Sequence, residues 1–157
     1  MPATANQSVV HSTFSVERTY PSSPARVFAA FSNQATRRRW LVEGEGWEID
    51  EFTMDFRVGG REVSRFRFKG GPPMGNDTIY LDIVSDRRIV LAYTMTVGDA
   101  RISVSLATVE IRPTGDGARV LYTEQGAFFD GADAGARCEE SCRELLEQLT
   151  DELQAHA

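Results

Sequence analysis

The chain has 157 residues, of which 41% are hydrophobic and 25% charged, a composition typical of one globular domain with a hydrophobic core. Its net charge of −6 argues against nucleic-acid binding as the main function, because phosphate contacts need a basic surface. No apolar run approaches the roughly 18 residues of a membrane helix. The first ten residues, MPATANQSVV, also lack the charged start and apolar centre of a signal peptide, so we expect a cytoplasmic protein.

The N-terminal region predicts one strand and one capped helix. We expect residues 1–10 to be a disordered lead-in and residues 11–157 to form a single domain. Residues 11–20 alternate between apolar and polar side chains, as a strand does. Ser23 is a good N-cap, and Pro24 suits the first position of the helix that follows.

A second short helix is predicted directly after the first. Asn33 caps it, and Trp40 is its expected core anchor. The three consecutive arginines at 37–39 are interpreted as its solvent-exposed face.

From Trp47 onward, apolar residues recur with a period of two, which predicts strands. Glycine-rich and proline-rich turns separate them, and Gly115-Asp116-Gly117 suits a tight hairpin. Short hairpin connections make the sheet antiparallel. The predicted strands cover residues 47–57, 61–69, 78–85, 89–97, 101–112 and 118–125.

The chain ends in one long amphipathic helix. Its apolar residues fall at helical spacing and acidic residues occupy the opposite face. The sheet is the expected partner of this apolar stripe, which gives an α+β fold class. The stripe consists of Cys138, Cys142, Leu145, Leu146, Leu149 and Leu153.

The cysteines and histidines do not indicate a metal site by their spacing. The chain has two cysteines, Cys138 and Cys142, which share a helix face but do not form a Cys-x-x-Cys pair. His11 and His156 lie at opposite ends of the chain. We therefore expect two reduced thiols, no metal and no cofactor.

The inward face of the predicted sheet combines small residues with polar tips. Ser103 and Ser105 fill little volume, although a close-packed core requires larger side chains. Buried hydroxyl and carboxyl groups need partners, water or a ligand. These features favour a small-molecule cavity, the alternative being tyrosines that hydrogen-bond one another across strands. The polar tips belong to Tyr80, Tyr93, Tyr122 and Glu124.

Two adjacent aromatics, Phe128 and Phe129, follow the predicted end of the last strand. They are expected either to cover the cavity or to pack against the start of the helix. The complete set of expected cavity residues is Trp47, Tyr80, Tyr93, Met95, Ser103, Ser105, Tyr122, Glu124, Phe128 and Phe129.

Several stretches, in this order, carry a family resemblance: SSPARVFAAFS, RRRWL, FRVGG, IYLDIVSDRRIVLAYTM and SVSLATVEIRPTGDGARVLYTEQGAFFDG. Together they resemble the START-like (SRPBCC) superfamily, in the branch of homologues of the activator of heat-shock-protein-90 ATPase. The resemblance implies a helix-grip fold, in which a curved antiparallel sheet wraps around a long C-terminal helix. It also implies an internal cavity for lipids, polyketides or other aromatic molecules. Ser141 stands where the family suggests a glycine, which predicts a reshaped cavity.

Three functions are compatible with this pattern. The favoured one is binding of a small hydrophobic ligand. A cyclase or aromatase acting on a polyketide is the second, with Glu124 as acid or base and the tyrosines assisting. A chaperone cofactor is the third, and it is disfavoured because eukaryotic activators have a further N-terminal domain. Separately, an outward apolar row at Ile102, Val104 and Leu106 predicts a homodimer.

Overall fold

The structure is a computed structural model and describes residues 8–156. Seven strands form one curved antiparallel sheet with the order β1-β7-β6-β5-β4-β3-β2, and three helices accompany it. This is the helix-grip α+β fold that the sequence predicts. The elements are β1 (Val10–Tyr20), α1 (Pro24–Ser32), α2 (Gln34–Leu41), β2 (Trp47–Met54), β3 (Arg61–Phe68), β4 (Met74–Val84), β5 (Arg88–Val97), β6 (Ala100–Thr114), β7 (Gly117–Phe128) and α3 (Ala134–Ala155).

Helix α3 packs its apolar stripe against the inner side of the sheet, as predicted. Leu146, Leu149 and Leu153 are buried there. Tyr20 at the end of β1 donates a hydrogen bond to the carbonyl of Leu146, at 3.0 Å. One acidic residue departs from the predicted polar face, because Glu152 is buried and paired with Arg39 of α2 at 2.9 Å.

The close approach between α3 and the sheet occurs at Gly135. A side chain there would meet the Cβ of Ser12 at 2.6 Å, so the first turn of α3 requires a glycine. Ser141, in contrast, is exposed to solvent. The expectation that Ser141 reshapes the cavity is therefore wrong.

Helices α1 and α2 begin as predicted from their caps. The Ser23 hydroxyl accepts a hydrogen bond from the Arg26 N–H, and the Asn33 side chain accepts one from the Thr36 N–H. The indole N–H of Trp40 donates to the Ala30 carbonyl at 2.8 Å, which makes it the expected core anchor.

Strands β4 and β7 extend furthest beyond their predicted ends. Strand β4 begins at Met74, inside the segment KGGPPMGND that the glycines and prolines mark as a loop. Strand β7 continues past Gly126 to Phe128, because β1 and β6 pair with it on both sides. The two strands supply hydrogen-bond partners that outweigh the low strand propensity of Gly126.

The predicted lead-in at residues 1–10 lies mostly outside the described residues, and Val10 within it belongs to β1. Of the helices in residues 8–156, none has the length and apolar content needed to cross a lipid bilayer.

Candidate functional site

A cavity of about 90 Å³ lies between the helices and the inner face of the sheet. Every layer of the fold contributes to it: α1, α2, strands β4 to β7 and α3. Its lining consists of Phe31, Arg37, Trp40, Leu41, Asn76, Thr78, Leu91, Tyr93, Val109, Tyr122, Cys142, Leu145 and Leu146.

Most of this lining is apolar, for reasons visible in the strand and helix periods. Leu91 and Val109 are buried on the inner face of the neighbouring strands β5 and β6 and are offset from each other by two residues. On the helix side, Phe31 and Trp40 pack edge to face with ring centres 5.0 Å apart. These apolar walls favour an apolar occupant.

An ion pair forms one polar part of the wall. Arg37 is 7% exposed and donates through Nε to Oε1 of Glu62 and through Nη2 to Oε2, the latter at 3.2 Å. Its guanidinium also lies over the rings of Phe31 and Trp40, 5.8 and 5.3 Å from their centres. The Tyr80 hydroxyl donates to the same Glu62 at 2.8 Å.

The charges of this pair favour ionisation of Arg37 despite its burial. Burial lowers the pKa of Arg37, but the adjacent Glu62 carboxylate outweighs this effect and raises that pKa overall. Burial raises the pKa of Tyr80, so its hydroxyl stays protonated and available as a donor. The solvent-exposed interpretation of the arginine run is therefore wrong for Arg37.

A second polar cluster surrounds Glu124, which is 0% exposed. The hydroxyls of Tyr93 and Tyr122 donate to its two oxygens at 2.7 and 2.6 Å. The thiols of Cys138 and Cys142 donate to the same two oxygens at 3.1 and 3.6 Å. Each carboxylate oxygen thus accepts one phenol and one thiol, and this explains how the acidic group is satisfied in the interior.

Three of the four donors in the cluster around Glu124 have raised pKa values. Burial raises the pKa of Tyr93 and of Tyr122, and the negative charge of Glu124 adds to the effect. The pKa of the Cys142 thiol is raised by its hydrogen bond with Cys138, and further by burial and by Glu124. Both cysteines are free thiols, and with Glu124 they place three possible metal-ligating atoms within 4.8 Å of one another.

The structure brings some of the expected cavity residues together and separates others. Tyr93 and Tyr122 line the cavity, and Glu124 lies directly behind their hydroxyls. Tyr80 is connected to the lining through Glu62 and Arg37. Elsewhere, Trp47 is 39% exposed and packs against the rings of Phe66 and Phe68, and Met95 and Phe129 are half-buried outside the lining.

The small residues on β6 accommodate a protein side chain. Ser103 pairs with Phe128 across the strands. A methyl group on Gly126 would lie 2.6 Å from the Phe128 ring and 3.0 Å from the Ser105 hydroxyl oxygen. The buried Phe128 ring therefore fills the space that Ser103, Ser105 and Gly126 leave, next to the start of α3. These residues lie outside the lining of the cavity.

Sequence reasoning missed Arg37, Glu62 and the two thiols as site residues. Glu62 is in phase with Ser64, which is also buried, and this shared inward phase is the one signal that could have marked it. Cys138 and Cys142 belong to the apolar stripe of α3, so the sequence places them in the core. It does not show that both thiols meet the carboxylate of Glu124 on the sheet. Asn76 was missed because β4 begins earlier than predicted.

Comparison with known proteins agrees with this architecture. The chain is similar to the Mll3558 protein from Rhizobium loti, with 57% identity, a TM-score of 0.86, and coverage of 92% of this chain and 99% of that one. An uncharacterised protein from Rhizobium leguminosarum is 36% identical, with a TM-score of 0.88 and coverage of 95% and 98%. CV1439 from Chromobacterium violaceum is 25% identical, with a TM-score of 0.74 and coverage of 90% and 96%.

No curated protein matches the chain. The model of one family, described as Activator of Hsp90 ATPase homolog 1-like protein, matches residues 21–157. Proteins of this fold family commonly bind hydrophobic ligands. Because the match covers most of the chain, including both polar clusters, the chain belongs to the Activator of Hsp90 ATPase homolog 1-like family.

Proposed function

We propose that this protein binds a small, largely apolar molecule in the cavity between the sheet, α2 and α3. The observation that carries the proposal is the lining itself, in which apolar walls surround a few convergent polar groups. That combination is typical of small-molecule sites. Binding of hydrophobic ligands by the fold family supports the same use here.

The polar groups favour a ligand with at least one hydrogen-bonding substituent. The bonds from Arg37 to Glu62 use Nε and Nη2, which leaves Nη1 outside that pair. An acceptor atom of the ligand, such as a carbonyl or phenol oxygen, can receive a bond from Nη1. Tyr93 and Tyr122 also line the cavity and can accept through their hydroxyl oxygens.

The volume restricts the size of the ligand in this conformation. An engineered cavity of about 150 Å³ holds one benzene molecule, whereas this cavity measures about 90 Å³. A single substituted ring therefore requires some lining side chains to move, and a lipid or polyketide requires a larger rearrangement. Leu41 and Leu145 are half-buried on facing helices and are the side chains best placed to move.

A cavity-filling substitution tests the proposal. Val109→Phe adds a ring to the lining, and Val104→Phe makes the same change on the outer side of the same strand, where Val104 is 41% exposed. Native mass spectrometry of freshly purified protein detects a bound molecule, and NMR titration with benzyl alcohol or octanoate detects binding directly. We expect binding to the wild type and to Val104→Phe, and its loss in Val109→Phe.

Two results would overturn the proposal. One is the absence of any co-purifying molecule together with no shifts of Tyr93, Tyr122 or Trp40 resonances for either compound. The other is equal binding by Val109→Phe and the wild type, provided that the variant melts cooperatively.

The alternative of a polyketide cyclase is less well supported. A general acid or base must reach the reacting atoms. Both oxygens of Glu124 are already engaged by phenols and thiols, and Glu124 is absent from the lining of this cavity. Ligand binding needs no such group, so we favour it. A cytoplasmic location stays a prediction from the sequence.

The homodimer is a further proposal, supported by the outer face of the sheet. Val104 and Leu106 are 41% and 38% exposed on β6. A second copy of the chain would cover this apolar row. Light scattering is expected to give twice the monomer mass for the wild type and the monomer mass after Val104→Lys with Leu106→Lys. A monomeric wild type would refute the dimer.

A further inference from the structure

The two thiols and the carboxylate converge on one point beside the cavity. Cys138 and Cys142 lie one turn apart on α3 and both direct their thiols at Glu124 of β7. The three possible ligand atoms lie within 4.8 Å of one another. No cationic side chain is among the hydrogen-bond partners of Glu124 within residues 8–156, so a cation held beside this carboxylate would be stabilised by its charge.

We propose that Glu124, Cys138 and Cys142 form a binding site for a thiophilic divalent cation, with Zn²⁺ as the physiological ion. Thiolate ligands select soft and borderline ions over Mg²⁺ and Ca²⁺, which prefer oxygen. Two thiolates with one carboxylate are a ligand set suited to zinc. The test of this site is independent of the proposed apolar ligand, since metal binding can be measured on the protein alone.

The observed spacing is close to that of a coordinated ion. Tetrahedral geometry with bonds of about 2.3 Å to sulfur and about 2.1 Å to oxygen separates a sulfur from an oxygen ligand by about 3.6 Å. The sulfur of Cys138 lies 3.1 Å from Oε2 of Glu124, and the sulfur of Cys142 lies 3.6 Å from Oε1. Both sulfurs are therefore near this spacing from the carboxylate, and coordination through one oxygen requires side-chain rotations of Glu124 or of the cysteines.

The tyrosines support this assignment. Tyr93 and Tyr122 donate to the two oxygens of Glu124, which fixes the orientation of the carboxylate as outer-shell partners of metal ligands do. Each carboxylate oxygen accepts one phenol and one thiol, so replacing the thiol protons by an ion leaves the two phenol bonds available. Tyr93 and Tyr122 are therefore positioning residues for the site.

Binding replaces the two thiol protons by the ion. Each thiol releases one proton to solvent, so two thiolates and one carboxylate contribute three negative charges against two positive charges. One tetrahedral position remains for water or for a donor atom of a cavity ligand. Cys142, Tyr93 and Tyr122 line the cavity, so the proposed ion lies next to it.

The composition of the chain makes the test unambiguous. Cys138 and Cys142 are the chain's two cysteines, so any thiolate-to-metal charge-transfer absorption must come from this site. The experiment titrates the fully reduced protein with Co²⁺ and with Cd²⁺ and follows the charge-transfer bands, then measures Zn²⁺ affinity by competition. We expect saturation at one ion per chain and a rise in melting temperature on addition of Zn²⁺.

Matched variants separate ligands from neighbours. Glu124→Gln removes the carboxylate, and Glu139→Gln removes a half-buried carboxylate adjacent to Cys138 in sequence, which pairs with Arg143 at 2.7 Å. Cys138→Ser keeps a donor to Glu124 and so preserves the fold while removing a sulfur ligand. We expect Glu124→Gln and Cys138→Ser to weaken Zn²⁺ binding by more than about 100-fold, the upper range for loss of an outer-shell partner. Glu139→Gln should bind like the wild type.

The proposal is overturned if the reduced wild type shows no charge-transfer band at one equivalent of Co²⁺ or Cd²⁺. It is also overturned if Glu124→Gln and Glu139→Gln bind Zn²⁺ equally well, because the carboxylate is then not a ligand. If Glu124→Gln fails to fold, Cys138→Ser decides the outcome, and unchanged Zn²⁺ affinity in that variant rejects the site.

Discussion

Glu62 and Glu124 are both buried carboxylates of the inner sheet face, on β3 and β7, but their partners differ. Glu62 is paired with a cation, the guanidinium of Arg37, and receives one further bond from Tyr80. The partners of Glu124 are uncharged donors: two phenols and two thiols.

This difference separates a structural role from a chemical one. Removing one partner of a buried ion pair strongly destabilises the folded protein. The pair of Arg37 and Glu62 therefore stabilises the packing of α2 against the sheet. Thiols, in contrast, become metal ligands on losing their protons. The Glu124 cluster is therefore the one of the two that offers ligand atoms for the proposed ion.

The largest predicted effect comes from removing the cation of the first cluster. Arg37→Met leaves Glu62 buried with the Tyr80 hydroxyl as its remaining donor in that cluster. Isolated buried charges cost about 3–5 kcal/mol of unfolding free energy. Urea denaturation should show this loss at neutral pH.

Two controls define what that loss means. Arg38→Met removes the neighbouring arginine, which is half exposed and pairs with Glu43 on the surface, and should cost less than about 1 kcal/mol. The double variant Arg37→Met, Glu62→Leu removes both charges and should recover most of the stability. If the double variant is as unstable as Arg37→Met, the stranded charge is not the cause.

The second cluster should respond less strongly to loss of its acceptor. In Glu124→Gln, the amide NH₂ cannot accept hydrogen bonds, so one phenol and one thiol lose their partner. We expect a loss of about 1–3 kcal/mol in the metal-free protein, measured by the same urea titration. Glu17→Gln, at an exposed position of β1, should have no measurable effect. A cost equal to that of Arg37→Met would remove the distinction between the clusters.

The sequence predicted the fold of the molecule and part of one of its two clusters. Alternation along β5 and β7 placed Tyr93, Tyr122 and Glu124 on the inner face, and helical spacing placed Cys142 on the buried side of α3. These are local periodicities that depend on a few consecutive residues. They are readable without knowledge of the partners across the fold.

The contacts between distant segments were not readable in this way. The three consecutive arginines look solvent-exposed, and the burial of Arg37 depends on Glu62, 25 residues further along. Cys138 meets Glu124 because of where α3 crosses β7, which no spacing within the helix reveals. Phe128 fills the space over Ser103 and Ser105 because β7 continues past Gly126 between two partner strands.

A smaller effect on stability is expected at alkaline pH from the hydroxyl of Tyr80, which belongs to the first cluster. Burial raises the folded-state pKa of Tyr80 above its ordinary value of 10.0, so the hydroxyl ionises more easily in the unfolded chain. The stability contributed by this group is full below about pH 10 and decreases as the pH rises above it. Between about pH 9 and about pH 11, the stability difference between wild type and Tyr80→Phe should shrink by about 1.4 kcal/mol.

Tyr20 offers a comparison for that result. Its pKa is also raised by burial, but its hydroxyl donates to a backbone carbonyl instead of a carboxylate. Tyr20→Phe should show the same alkaline trend, since burial is the main cause in both. A stability difference that stays constant with pH for both variants would contradict the assigned shifts.

The smallest predicted effect concerns a single thiol of the second cluster. Cys138→Ser keeps a hydrogen-bond donor to Glu124, whereas Cys138→Val fills similar space without one. Because Cys138 is half-buried, the serine variant should lie within about 0.5 kcal/mol of the wild type, and the valine variant should lose about 0.5–1.5 kcal/mol. Equal stability of the two variants would show that this thiol contributes packing alone, and that the carboxylate is held by the phenols and Cys142.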